Sequence, residues 1–307
     1  MRVAAVDCGT NSIRLLVADV NGAVKHDVQR EMRVVRLGEG VDRSGRLSDA
    51  ALARTREALE HYASLVRSLE CAAVRMVATS ATRDADNRAD FVAMVVDVLG
   101  VPPEVVSGDE EAALSFDGAT RALPPEDGPF LVADIGGGST ELVLGSGTVQ
   151  AARSVDVGCV RLTERHLHDD PPTAGQVAAA EADVDAALDL VREVVPVSQA
   201  QTFLGLAGSV TTVAAHALGL ARYDSEAIHL ARLPGDDVVR ACTSLLEMSR
   251  AERAALPYMH PGRVDVIGAG ALVLRTLVDR LGLAEVVASE ADILDGIAWS
   301  AAPGSAR

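Results

Sequence analysis

Hydrophobic and polar positions alternate in a programme that the chain runs twice. Residues 2–7, 13–20 and about 24–37 are rich in Val, Ala, Ile and Leu and predict three successive strands. Asn21-Gly22 supplies a hairpin turn between the second and third. The stretch 48–68 predicts a helix, with Leu52, Leu59, Ala63 and Val66 on one face and Ser48 as N-cap. A short buried strand at 74–78, a helix at 87–99 carrying Phe91, Val95 and Val98, a strand ending at Val105-Val106, and a helix from Asp109 to about Arg121 complete the first run.

Residues 123–129, with three Pro and two acidic side chains, read as a linker. The programme then restarts. Strands are expected at 130–134, 141–144 and 148–155, and helices at about 159–168 and 174–195. A strand at 202–206 feeds a helix that opens at Gly208-Ser209. Helices at about 235–247 and 263–281, a strand at 285–288, a last helix at 292–300 and a frayed end at 304–307 follow.

Three hairpin-linked strands followed by helix–strand alternation describe a ribonuclease-H-like unit. Done twice, this is an α/β plan of two actin-like domains with mixed sheets flanked by helices. The expected domains are 1–122 and 123–307, with a C-terminal helix at about 291–303 packing back on the first. Ligands of open α/β sheets sit at the carboxyl ends of strands, which places the expected active site in the interdomain cleft.

Composition narrows the partners. At 307 residues the length suits about two domains, and 49% hydrophobic residues suffice for two cores. A formal net charge of −16 and the lack of a basic tail argue against a nucleic-acid partner. Aromatics make up 3% of residues, too few for a base-stacking surface. Four scattered cysteines form no CxxC pair, which points away from zinc and disulfides and towards a reducing cytoplasm. The first residues lack the pattern of a signal peptide, and no apolar run reaches membrane-spanning length.

The chemistry lies in the two copies of one motif, 127 residues apart: Asp7-Cys8-Gly9-Thr10-Asn11-Ser12 and Asp134-Ile135-Gly136-Gly137-Gly138-Ser139. Each follows an apolar run and precedes another. Such a turn can aim backbone N–H groups and a hydroxyl at a phosphate and leave its Asp facing the same place. Asp7 can hold Mg²⁺ through oxygen, and Gly9 permits close approach to an anion; an ordinary Asx-capped turn is the alternative. Three consecutive Gly between strands suit an anion-binding concavity. Glu141 breaks the apolar pattern of its strand and is a second candidate metal carboxylate, or a solvent-facing one.

Three further strand ends contribute. Arg83, after Thr79-Ser80-Ala81-Thr82, can clamp phosphate, or pair with Asp84 or Asp86. Asp109-Glu110-Glu111 opens a helix, as the helix dipole favours, and one of Glu110 and Glu111 is a candidate general base. Gly208 and Ser209 open a helix whose N-terminus can bind an anion, or form a plain capped junction. His166 and His168 lie in a stretch read as an exposed loop, with no partner ligands elsewhere.

These motifs, with RVVRLGEGV at 33–41, VATSATRDADN at 77–87, VSGDEEA, VADIGGGSTELVLG, VDVGCVRLTE at 155–164, GLAGSVTTVAA at 205–215 and PGRVDVIGAGALVL at 261–274, resemble the exopolyphosphatase / guanosine pentaphosphate phosphohydrolase family over nearly the whole chain. The resemblance implies release of terminal phosphate from inorganic polyphosphate or from guanosine pentaphosphate, a stringent-response nucleotide, by in-line attack of water. It implies Mg²⁺ or another divalent cation such as Mn²⁺, a small anionic substrate and, as is frequent in the family, a homodimer.

Carried over by position, Glu111 acts on the water, and Asp134 and Glu141, with Asp7, form the metal side. Gly136, Gly137, Gly138 and Ser139 cradle phosphate from one domain, and Gly9, Asn11, Ser12 and Arg83 from the other; Gly208 and Ser209 face the substrate. Longer relatives carry additional C-terminal helical domains, whereas this sequence ends at Arg307. Some place a Lys where Thr211 and Thr212 stand here. Both departures lead to the expectation of short chains or a small phosphorylated nucleotide as substrate. The rivals are a kinase of the same superfold and a non-catalytic regulator that binds guanosine tetra- or pentaphosphate.

Overall fold

The computed structural model describes residues 1–22 and 24–302; the expected frayed end at 304–307 lies outside them. The chain divides into two compact units, Met1–Gly118 joined by the chain from Ile293, and Ala119–Asp292.

In the first unit β1 (Arg2–Cys8), β2 (Ser12–Asn21), β3 (Val24–Val34), β4 (Ala73–Ala78) and β5 (Glu104–Val105) form a sheet of order 3-2-1-4-5. β1, β2 and β3 are antiparallel neighbours, and β4 and β5 extend the sheet parallel to β1. The helices of this part are α1 (Val41–Ser44), α2 (Asp49–Ser68), α3 (Ser80–Asp84), α4 (Arg88–Leu99) and α5 (Gly108–Thr120), and the chain's last helix, α13 (Ile293–Ala301), belongs to the same unit.

Strand side chains alternate between faces, so β1 and β2 serve two cores. Ala4, Val6, Cys8, Ile13, Leu15 and Val17 pack with Leu59 and Tyr62 of α2 and Phe91 of α4. Val3, Ala5, Leu16 and Ala18 pack with Leu294, Ile297 and Trp299 of α13. A buried carboxylate needs partners. Asp295, 2% exposed, has Arg30 Nη2 at 2.7 Å and Lys25 Nζ at 2.9 Å, which ties α13 to β3.

The second unit repeats the plan with an added strand. β6 (Phe130–Ile135), β7 (Thr140–Ser146), β8 (Thr148–Val155), β9 (Thr202–Leu206), β10 (Ala231–Pro234) and β11 (Glu285–Ala288) are ordered 10-11-9-6-7-8. Reversed, and without the antiparallel edge strand β10, that order is the first sheet over again. Its helices are α6 (Cys159–His166), α7 (Ala174–Arg192), α8 (Ala207–Ala217), α9 (Ser225–Ile228), α10 (Gly235–Glu247), α11 (Arg250–Ala254) and α12 (Ile267–Leu281). Leu131, Ala133, Ile135, Leu142 and Leu144 line the core with Leu188 of α7, Leu245 of α10 and Leu272 of α12. Asp134 and Glu141, at the intervening positions, lie on the opposite face.

The mixed α/β architecture matches expectation, but some local readings need correction. The third strand ends at Val34 rather than near 37. Val35 and Arg36 donate backbone bonds to the Asn11 carbonyl (3.1 and 2.8 Å) and Gly38 to that of Thr10 (2.8 Å), so the apolar residues here brace a loop. The helix expected from 263 begins at Ile267, after a single 3₁₀ turn at Pro261–Arg263. α1, α3, α9, α11 and β10, each of four or five residues, are too short to show a hydrophobic period.

Candidate functional site

In the first unit the predicted residues gather at the carboxyl ends of parallel strands β1, β4 and β5. The β1–β2 hairpin is closed by Gly9 N–H donating to the Ser12 carbonyl at 3.0 Å. Asp7 stands directly opposite Arg14 in the register. Arg14 donates to Asp7 Oδ2 through Nη2 at 2.7 Å and Nε at 2.9 Å. Asp7 is 4% exposed, so the metal-side carboxylate expected here already has a cation beside it. Asn11 and Ser12 lie half-buried at the turn. Thr10 Oγ1 and Ser80 Oγ share a 2.9 Å hydrogen bond, and Thr79 N–H donates to the Cys8 carbonyl at 3.2 Å. The end of β1 is thus stitched to the segment that carries Arg83.

Arg83 reaches across to the end of β5 and the start of α5. Its Nη1 donates to the Val106 carbonyl and to Glu111 Oε2, both at 3.0 Å. Two residues singled out separately in the sequence, the phosphate clamp and the general base, are therefore neighbours. Burial separates the acidic pair: Glu111 is 7% exposed, whereas Glu110 is exposed and bonds Arg75 at 3.1 Å. The Ser107 hydroxyl and carbonyl accept the N–H groups of Glu110 and Glu111, which fixes where the first turn of α5 starts.

In the second unit the β6–β7 hairpin has the same closing bond, Gly136 N–H to the Ser139 carbonyl at 3.0 Å. The residue opposite Asp134 is Glu141. Both are buried, at 7% and 1% exposure. Ser154, opposite Glu141 on β8, donates to Glu141 Oε1 at 2.6 Å. Two carboxylates directly opposite each other repel, and two hard oxygen donors on one face suit a divalent cation. Mg²⁺ commonly takes one or two protein carboxylates and completes its shell with water and substrate phosphate. Among the described residues no group of three or more His, Cys, Asp or Glu side chains could hold a metal. The donor set therefore fits a cation shared with a phosphate and does not amount to a full protein cage.

The glycine loop is held from behind by α6. Cys159 N–H donates to the Gly136 carbonyl at 3.0 Å, and Val160 and Arg161 N–H to that of Gly137 at 2.9 and 3.1 Å. Arg161 Nε reaches the Gly138 carbonyl at 2.7 Å. A Cβ on Gly158 would come within 2.5 Å of Gly137, so the helix start and the loop touch backbone to backbone.

At the end of β9, beside β6, Ala207 adopts φ 67° and turns the chain into α8. The Arg263 guanidinium lies against Gly208, where any Cβ would meet it at 2.4 Å. Its Nη1 donates to Thr212 Oγ1 at 3.2 Å, and Thr212 donates to the Gly208 carbonyl at 2.6 Å. Tyr223 donates its O–H to Glu290 and accepts from Thr211 Oγ1 at 2.8 Å; burial first, then the Glu290 charge, pushes its phenol up to about 12. The Ser209 hydroxyl lies close against Gly270 and near Cys159, so packing accounts for its burial and only its backbone N–H stays with the helix start.

Burial, then the Asp7 charge, pushes Cys8 well above the ordinary range, and burial raises Cys159. His166 bonds Asp183 of α7 at 2.8 Å. No helix among the described residues is long and apolar enough to cross a membrane.

Sequence reading passed over three arginines. Arg14 follows Asp7 by the same seven residues that separate Glu141 from Asp134, and that spacing was a signal. Arg161 and Arg263 lie within the motifs at 155–164 and 261–274, and what each touches, the Gly138 carbonyl and the Thr212 hydroxyl, is far away in sequence.

Comparison with known proteins identifies the family. A model of the Ppx/GppA phosphatase family matches residues 16–304. The chain is 52% identical over 314 residues to Exopolyphosphatase 2 of Mycobacterium tuberculosis, with 98% of each covered. It superposes on the crystal structure of an exopolyphosphatase-like protein with a TM-score of 0.93 at 43% identity, covering 97% of each chain. The Aquifex aeolicus PPX-GPPA enzyme gives a TM-score of 0.81 at 28% identity, over 97% of this chain and 98% of that one. The chain belongs to the Ppx/GppA phosphatase family.

Proposed function

We propose that this protein hydrolyses the terminal phosphoanhydride of inorganic polyphosphate, guanosine pentaphosphate or both, with a divalent cation, in the cytoplasm. The observation that carries the reading is the buried Asp134–Glu141 pair beside a loop whose carbonyls are all tied back. Phosphoryl transfer to water is mostly positioning and neutralisation of charge.

In this reading Glu111 accepts a proton from the attacking water, and Arg83, at 3.0 Å, fixes the carboxylate's direction. Oxygen of that water bonds to the terminal phosphorus as the bridging P–O bond breaks, and the shortened chain leaves with the bridging oxygen. The backbone N–H groups of Gly137, Gly138 and Ser139 meet the phosphate oxygens. Asn11, Ser12 and the Arg14 guanidinium, held by Asp7, supply further donors. Gly208 and Ser209 enter through the first amides of α8, with Arg263 as the local cation. Asp134 and Glu141 hold the cation, which supplies neutralisation of phosphate charge when bound. Asp7, with Arg14 against it, serves to orient that arginine rather than as a third metal ligand. Thr211 and Thr212, tied to Tyr223 and Gly208, add no charge at the α8 start, which favours short chains.

The test is phosphate release, with Mg²⁺, from short polyphosphate, long polyphosphate and guanosine pentaphosphate in parallel. Glu111→Ala should lose on the order of a hundredfold to ten-thousandfold in kcat, the usual worth of a general base. Release from none of the three substrates, or full activity in the variant, overturns the reading. Equal turnover per chain end on short and long polyphosphate overturns the chain-length part alone.

A further inference from the structure

The three carbonyls of the glycine loop are restrained unequally. Those of Gly136 and Gly137 take backbone N–H groups at the start of α6. That of Gly138 takes a side chain, Arg161 Nε, at 2.7 Å. The peptide bonds here are trans, and across a planar trans peptide the N–H points opposite to the C=O. Tying back the carbonyls of Gly136, Gly137 and Gly138 therefore turns the N–H groups of Gly137, Gly138 and Ser139 away from α6. Successive amides with one direction make an anion-binding concavity.

Glycine carries the largest conformational freedom of any residue, so a run of three holds one direction only while each carbonyl is restrained. Backbone restrains two of them. The third depends on one half-buried guanidinium.

We infer that Arg161 is a positioning residue for phosphate hydrolysis, acting through the Gly138 carbonyl to hold the Ser139 N–H towards the substrate. The inference rests on the proposed function, since it assigns the loop to the reacting phosphate. It makes Arg161 different from the charged residues that act on phosphate directly. Its essential atom in this role is the Nε donor.

Two substitutions separate these roles. Gln places an amide nitrogen at the position of arginine Nε and carries no charge. Lys keeps the charge and puts a methylene at that position. Misplacement of reacting groups by about an ångström is worth up to a hundredfold in rate. Arg161→Ala should therefore lose roughly tenfold to a hundredfold in kcat on polyphosphate with a smaller change in KM. Arg161→Gln should recover most of that loss, and Arg161→Lys should stay close to Ala. Arg165→Ala, on the same helix, is the control and should behave as the unaltered protein.

A second measurement needs no turnover: the backbone amide resonances of residues 137–139 during titration with tripolyphosphate. The unaltered protein and Arg161→Gln should show the Ser139 resonance moving, and Arg161→Ala should not. Recovery by Lys instead of Gln, equal losses in all three variants, or an undiminished Ser139 response in Arg161→Ala overturns the inference. If the unaltered protein releases no phosphate from any phosphoanhydride, the functional reading fails, and the amide titration still decides whether Arg161 sets the loop.

Discussion

The β1–β2 and β6–β7 hairpins share a length, a closing bond from Gly to Ser, and a register that puts the residue seven places on directly opposite the Asp. They differ in what that residue is. Arg14 faces Asp7 and bonds it; Glu141 faces Asp134, so two acidic side chains share one face. The braces behind the loops differ as well. The first loop is held by the 35–38 segment and the Thr10–Ser80 bond, the second by α6. One duplicated backbone carries an Asp–Arg ion pair in the first unit and an Asp–Glu pair in the second. The fold supplies the position, and a single cross-strand identity decides the sign of the charge.

The strongest test of that contrast makes the second hairpin resemble the first. Glu141→Arg gives Asp134 an internal cation in the register that Arg14 occupies. Phosphate release should fall by a factor on the order of a thousand or more, the scale of losing a preorganised electrostatic group, and residual activity should lose its dependence on Mg²⁺. Glu141→Gln should show the same activity loss. Retained Mg²⁺-dependent turnover in Glu141→Arg breaks the comparison.

The reverse test opens the first pair. Arg14→Ala leaves the Asp7 carboxylate buried without the guanidinium that meets it at 2.7 Å. Breaking a buried ion pair costs about 3 kcal/mol, the lower end of the usual range because the Arg14 side chain is one-fifth exposed. Urea unfolding should show that loss. The double variant Arg14→Met with Asp7→Asn should recover much of it, since both charges are then gone. If the recovered protein also recovers activity, Arg14 has no part in meeting phosphate.

How much of this was legible depends on whether the cause is local. Asn21-Gly22, the Ser48 cap and the Asp-Gly turns act within a few residues, and the pattern disclosed them. The duplicated sheet followed from the order of those elements. Val35 and Leu37 extend the apolar pattern of β3, yet the backbone of Val35, Arg36 and Gly38 braces the first loop. Glu110 and Glu111 were indistinguishable by composition, and only the pitch of α5 buries one and exposes the other. Arg161 reaches the Gly138 carbonyl across 23 residues, and Arg263 reaches the Thr212 hydroxyl from outside α8. Such contacts leave no periodic trace, because any long polar side chain would fit the pattern equally well.

The smallest expected effect again distinguishes the second unit. Burial lowers the pKa of both His216 and His260 there, and the nearby Arg263 charge lowers His260 further. His260 Nδ1 accepts the Gly262 N–H at 3.1 Å, just before the arginine that lies on Gly208. A lowered folded-state pKa means that the unfolded chain binds more protons, so stability rises with pH. The contribution is complete above the ordinary histidine value near 6.5 and is lost as pH falls through the lowered folded values. Melting temperature should therefore decline between neutral pH and about pH 5, and His260→Gln with His216→Gln should flatten that decline. Protonating Nδ1 also removes the acceptor for Gly262. Hydrogen exchange at the 260–263 turn and the first turn of α8 should quicken over the same range, ahead of the Asp7 hairpin. Equal quickening in both hairpins would place the acid-sensitive contact elsewhere.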